Sequence, residues 1–207
     1  MKWKRIIKNK ENFPTTGHYS DWKEILADEA GRQCVYCCIH ESRFGGIRNY
    51  HVEHFRPKSK FKHLTDDYGN LFYACAICNS FKGNDWPREP ILGVFEESFY
   101  PDPSLIDYAD IMEVDDESGR LFSGFATGRF LIEKLFLNRP QMIVNRRMEF
   151  LKNQILGASS DLRNLIDSSD IPDDLCRRVV RFMSKALQFM DEVNSVVPYQ
   201  TSDVERT

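Results

Sequence analysis

No stretch of this 207-residue chain approaches the roughly 18 consecutive apolar residues of a membrane span. No apolar segment follows the cations of MKWKRIIKNK to complete a secretory leader. These two absences predict a soluble protein of the cytoplasm with no membrane association. The chain also lacks an excess of charge of one sign: its formal net charge is −3, so it is not coated in cations and any contact with nucleic acid must be local. It contains no internal repeat and no low-complexity segment, which excludes a solenoid or an extended linker protein. Cysteine is scarce, at six residues, and in a reducing compartment these thiols point to metal, packing or catalysis rather than to disulfides.

What is present suits a folded domain. Hydrophobic residues make up 42% of the chain, enough to bury a sizeable core. Charge is unevenly placed. Lys2, Lys4, Arg5, Lys8 and Lys10 cluster at the start, Arg56, Lys58, Lys60 and Lys62 recur on alternate residues, and residues 102–117 are acidic. In an extended segment the alternating cations fall on one side. The ordinary alternative for each run is a solvated face.

Along the chain, SDWKEILADEAG (20–31) has a Ser or Asp cap, Glu24 three residues after Asp21, apolar Trp22, Ile25, Leu26 and Ala30, and Gly31 to end it, which predicts a short helix. YHVEHFR (50–56) and GNLFYA (69–74) read as strands joined by the loop PKSKFKHLTDDY, and CAICNSFKGN (75–84) reads as a short helix closed by Gly83 and Asn84. Beyond the Pro-containing link NDWPREP, IMEVDDESGRLFSGF predicts a hairpin turning at ESG. Two helical stretches follow. The first starts near LNRPQ, with Asn138 as cap and Pro140 in the first turn; the second carries Leu175, Val179, Phe182, Met183, Ala186, Leu187 and Met190 at helical spacing. The stripe reads as core or partner-facing surface, Cys176 on it as buried and inert, and the last residues, 200–207, as frayed. The organisation expected is an N-terminal segment and helix (1–33), a small metal-stapled unit (34–90), and a hairpin with helices (91–200) that joins the unit in one compact domain or stands beside it.

Cys34-Val-Tyr-Cys37 and Cys75-Ala-Ile-Cys78 are two CxxC pairs, the spacing of a closed tetrahedral zinc site of four thiolates. The gap between them exceeds the roughly 15–20 residues of a simple zinc ribbon, so the metal would staple the two ends of an inserted segment. Such a staple supplies rigidity that two strands and a short helix lack. Cys38 is a competing ligand and otherwise a packing residue.

Inside the staple lie Glu53-His54 at a strand end, Asn70 opening the next strand, and Asn79 beside Cys78 with Lys82 three residues on. The series C-V-Y-C, V-E-H-F-R-P-K, G-N-L and C-A-I-C-N-S-F-K-G-N, over roughly residues 34–84, resembles the HNH endonucleases, the zinc-stapled branch of the ββα-metal (His-Me finger) nucleases. The resemblance implies an α+β fold with a mainly α-helical C-terminal region, and cleavage of DNA leaving 5′-phosphate and 3′-hydroxyl ends. It also implies that Asn70 makes hydrogen bonds across the loop that hold the base. Two positions depart from the commonest pattern: Glu53 where Asp is more usual, and Asn79 where many members have His. HVEHFRPKSK, NLFYACAICNSFKGN and the downstream G-R-L-F-S and LIEKLFLNRPQMIVNRR are similar to the PtuB-like HNH proteins associated with bacterial retrons and Septu-type antiphage systems. That similarity implies an ATPase or retron partner, with the C-terminal helices either a surface for it or a buttress for the nuclease.

The chemistry can be argued from the residues. Phosphodiester hydrolysis needs a deprotonated water in line with phosphorus and charge stabilisation on the phosphoryl and leaving oxygens. A histidine near its ordinary pKa of about 6.5 can take the water's proton, which makes His54 the general base. Glu53 and the Asn79 carbonyl are hard oxygen ligands suited to Mg²⁺ or Mn²⁺ at a site that includes His54. Neighbours on an ideal strand face opposite ways, so the Glu53-His54 pair must lie where the strand ends and bends. Arg56, Lys58, Lys60 and Lys82 are candidates for phosphate contact, with Arg56 and Lys82 also candidates for transition-state charge; either of those two could instead be simply solvated. His51 reads as support. The alternative functions are a non-catalytic zinc-stapled nucleic-acid-binding module and a protein–protein adaptor built on the helices. DNA is the expected substrate, with RNA left open.

Overall fold

The computed structural model describes residues 3–8, 13–14, 16–91, 93–166 and 172–194. The expected fraying of 200–207 and the cations Lys2 and Lys10 lie outside the described residues. The chain divides into two compact units, 1–142 and 143–207.

The first helix begins as a 3-10 turn at Tyr19–Trp22 and continues as α1 (Lys23–Glu29). Its cap is His18, two residues before the expected start, and the Asp21 carboxylate accepts the His18 backbone N–H at 3.0 Å. Trp22, Leu26 and Ala27 are buried, which is the apolar spacing seen in the sequence. Gly31, at φ +58°, turns the chain out of the helix, as a residue without Cβ can do at little cost. A bridge between Gln33 and His40 closes the turn that carries the first cysteine pair.

Strands β1 (Tyr50–His54) and β2 (Leu71–Cys75) pair antiparallel, with Tyr50 opposite Cys75 and His54 opposite Leu71. All of β2 is buried, so this two-stranded sheet is stabilised by what packs on it, since an isolated hairpin is marginal in water. Helix α2 (Ala76–Lys82) follows directly. Cys75 caps it, its Sγ accepting the Cys78 N–H at 3.5 Å, and Gly83 at φ +51° ends it.

Beyond this unit, β3 (Glu113–Val114) and β4 (Leu121–Phe122) form the expected hairpin. Asn138 brackets β4: its side chain accepts the Leu121 N–H at 2.7 Å and donates to the Leu121 carbonyl at 2.9 Å. Helix α3 (Ala126–Lys134) has no counterpart in the sequence reading. Its glycine, Gly128, is a poor helix former by propensity, but a Cβ there would collide with Ser123 Oγ and the Ile111 carbonyl, so close packing selects it. Tyr100, Tyr108, Leu131 and Leu137 belong to the same buried cluster as Trp22, Leu71 and Tyr73. Residues 91–142, grouped on sequence with the C-terminal helices, therefore complete the core of the first unit.

Helix α4 (Pro140–Ile166) starts at Pro140, whose fixed φ suits a first turn, and α5 is Asp173–Asn194. On α5, Leu175, Val179, Phe182 and Ala186 are half-buried, whereas Val180, Met183 and Leu187 are exposed. Cys176 is exposed too, contrary to expectation, because the buried stripe passes through Leu175 and leaves its neighbour on the open side. Met190 lies beyond the positions whose burial is described.

Candidate metal centre and catalytic site

The two knuckles converge. Cys34, Cys37, Cys75 and Cys78 are buried and their Sγ atoms all lie within 4.8 Å of one another. Cys37 and Cys75 are 3.8 Å apart, close to the edge of a tetrahedron with metal–sulfur bonds of about 2.3 Å. The donor set and its spacing fit a zinc ion. Cys38 is outside this group; at φ +57° its backbone donates to the Cys34 carbonyl at 2.9 Å and closes the knuckle.

Arg139, far away in sequence, reaches the same cluster. Its guanidinium donates to Cys37 Sγ at 3.5 Å and to Cys78 Sγ at 3.8 Å, and the residue is buried. Burial alone would lower its pKa, but the sulfurs of Cys78, Cys37 and Cys75 more than reverse this. Four thiolates around a dication leave net negative charge, which this cation offsets in a medium where water cannot. Arg139→Met is expected to weaken metal retention by about 10–100-fold, the usual effect of losing an outer-shell partner, measured as release to a chromogenic chelator.

The staple positions the Glu-His pair. His54 is the last residue of β1 and is buried to 9% exposure, and the chain turns immediately after it. Its Nε2 lies 3.0 Å from the Thr65 carbonyl. A carbonyl only accepts, so Nε2 carries the proton and Nδ1 holds the lone pair of the neutral ring. Burial lowers the His54 pKa against the opposing Thr65 hydrogen bond; the charges of Lys58 and Lys82 lower it further and Asp66 raises it.

Asn70 ties the two ends of the loop between the strands. Buried, it accepts the Arg56 N–H at 2.8 Å and donates to the carbonyls of Arg56 at 3.0 Å and Leu64 at 3.3 Å. Leu64 is adjacent to the Thr65 carbonyl that orients His54, so the asparagine supports the His54 ring at one remove.

Glu53 is buried, and its Oε1 takes Lys82 Nζ at 2.7 Å and Tyr36 Oη at 3.1 Å. Burial raises its pKa; the charge and hydrogen bond of Lys82 and the hydrogen bond of Tyr36 oppose this. Lys82 is a correction to the sequence reading. Its side chain is wholly buried and its Nζ also donates to the His54 carbonyl at 3.1 Å, so it is neither solvated nor able to touch a phosphate. Helix α2 turns it inward, where it lies near the Tyr100 ring. Lys82→Met strands the Glu53 charge in the core and is expected to cost roughly 3–5 kcal/mol in urea unfolding, with partial recovery in Lys82→Met/Glu53→Gln.

A cavity of about 450 Å³ opens on the site, lined by Glu53, His54, Asn79 and His51 among others. His51 is exposed and Asn79 half-buried. Both thus reach the space beside His54, as does Lys58. Two further cations of the loop are engaged elsewhere: Arg56 pairs with Glu89 at 2.9 Å and Lys60 donates to the Trp86 carbonyl at 3.4 Å. Tyr19 went unrecognised in the sequence. Its ring stands edge-on to His54 with centroids 4.7 Å apart, its hydroxyl accepts from Lys58 Nζ at 2.9 Å, and its N–H donates to Asp66 at 2.8 Å. No local signal marks this role, because the contacts that tie it to the site, with His54, Lys58 and Asp66, lie 35 or more positions away. Lys23 and Arg48 also line the cavity.

Residues 34–85 match the family model described as HNH endonuclease. Septu protein PtuB of Bacillus thuringiensis is 38% identical to this chain over 72 residues, which cover 34% of the chain and 27% of that protein. The chain therefore spans only about a quarter of that relative's length. From the first knuckle to just past the end of α2, the chain is thus similar to the HNH endonucleases, and over 72 residues it resembles PtuB.

Proposed function

We infer that the chain is a metal-dependent endonuclease that hydrolyses DNA phosphodiester bonds in the bacterial cytoplasm, acting in antiphage defence with an ATPase partner. The observation that carries the reading is His54: its Nε2 is committed to the Thr65 carbonyl, which leaves Nδ1 as the proton acceptor of a ring that borders the cavity. In this reading His54 removes the proton of the attacking water. Asn70 holds the loop and, through it, the ring; Tyr19 limits the ring from the other side. Glu53 and the Asn79 side-chain carbonyl would hold Mg²⁺ or Mn²⁺, whose charge, when bound, stabilises the phosphoryl and leaving oxygens. Lys82 shares Glu53, and its charge and hydrogen bond oppose the rise in pKa that burial imposes on that carboxylate. The four cysteines hold structural zinc. The antiphage setting and the partner rest on the likeness to PtuB, and the exposed Val180, Met183 and Leu187 of α5 are the surface we assign to that partner.

Purified protein and its His54→Ala variant, incubated with supercoiled plasmid and Mg²⁺ or Mn²⁺, test the reading. Nicking or linearisation by the wild type alone supports it; equal cutting by both removes His54 from the chemistry. One observation favours a second reading, a nucleic-acid-binding module without catalysis: Glu53 already has a cation in Lys82. That reading expects salt-sensitive DNA binding, no cutting, and no response to Mg²⁺ or to loss of His54.

A further inference from the structure

We propose that Lys23 and Arg48 are the cations that hold the phosphates of the bound DNA strand next to the reacting one. The proposal rests on the endonuclease reading of the same cavity. Both residues border the space that His54 borders, and neither belongs to the strand–strand–helix unit: Lys23 opens α1 and Arg48 sits in the 3-10 turn before β1. A cavity of about 450 Å³ falls within the roughly 300–1,000 Å³ of ligand clefts.

Side-chain donors left open on the cavity wall distinguish these two from the cations that the sequence pattern singles out, of which Lys62 does not line the cavity. Arg56 is paired with Glu89, Lys58 with the Tyr19 hydroxyl and Lys60 with a backbone carbonyl, while Lys82 is sealed in the core. Among the described residues, the side chains of Lys23 and Arg48 form no hydrogen bond or ion pair. The acids whose charge Lys23 feels are Glu24 and Glu41. Both are already bound by Arg32, at 3.2 and 3.0 Å, and Glu41 also accepts from Tyr73 at 2.5 Å. Glu53 is the only carboxylate among the described residues lining the cavity, and Lys82 meets its charge. The cavity wall is thus left with net positive charge facing solvent, the condition under which a polyanion displaces counterions and binds.

The test uses the full chain carrying His54→Ala, so that DNA is bound without being cut in Mg²⁺. Binding of a fluorescein-labelled duplex is followed by anisotropy over a NaCl series. Lys23→Gln and Arg48→Gln should each make the slope of log K against log[salt] shallower by about 0.9, and the double variant by about 1.8. Lys60→Gln, whose ammonium is held on Trp86, should move it less. Matching circular dichroism melts check that these exposed and half-exposed substitutions leave the fold intact. A parental slope in the double variant overturns the proposal while wild-type cutting still upholds the endonuclease reading. Equal plasmid cutting by wild type and His54→Ala overturns the reading instead, and absence of DNA binding by the His54→Ala protein overturns the proposal outright.

Discussion

Replacing His54 with alanine is expected to lower the rate of plasmid cleavage by about 10²–10⁴-fold, the range contributed by a general base, with zinc content unchanged. The Thr65 carbonyl settles the tautomer, Tyr19 and the end of β1 limit the ring's freedom, and the cavity gives it access to a water. The pH dependence supplies a second, independent check. Burial holds the His54 pKa below the ordinary value of about 6.5, so the lone-pair form persists to lower pH than for a free histidine. The acid limb of the cleavage profile should therefore lie below about pH 6.5, with activity falling as pH drops through the lowered pKa and flat above it until another group titrates. An acid limb at or above that value, in a protein that loses activity with His54→Ala, would mean that another group limits the reaction.

Cys75→Ser is expected to abolish cooperative folding of the first unit and to release its zinc, read together as metal content and the loss of a thermal transition by circular dichroism. Three roles meet in this residue: it ends β2, caps α2 through its Sγ, and supplies one of the four sulfurs. Structural zinc contributes about 10–16 kcal/mol in small domains, as much as or more than the roughly 5–15 kcal/mol by which most domains are stable. The loss therefore has no reserve to draw on. Cys38→Ser, next to the knuckle but outside the cluster, should retain zinc. A Cys75→Ser protein that still melts cooperatively with no metal would show that packing of β2 against the core suffices without the staple.

Much of the site is legible in the linear order of residues, because its geometry is short-range. A CxxC turn brings two sulfurs to one ion wherever it folds, and Glu-His at the end of an aromatic and β-branched run must lie where that strand bends. Asn70 precedes the strand that pairs back, so its amide faces the loop it closes. Helix α3 was hidden for the opposite reason: Gly128 argues locally against a helix, and only its packing on Ser123 and Ile111 explains it.

The sequence alone settled the chemistry on offer: four thiols at metal spacing, one histidine beside one carboxylate, and two asparagines on the flanking elements. Tertiary structure decided where the charge goes. Lys82 and Arg139 look like surface cations in any local pattern, yet both are buried, one against Glu53 and the other against the cysteine sulfurs. Tyr19, Lys23 and Arg48 carry no motif, yet the fold brings them to the cavity beside His54. The physical reason is range. Backbone turns and strand alternation act over a few residues and leave periodic traces, whereas burial of a charge and convergence on a cavity depend on partners tens of residues away.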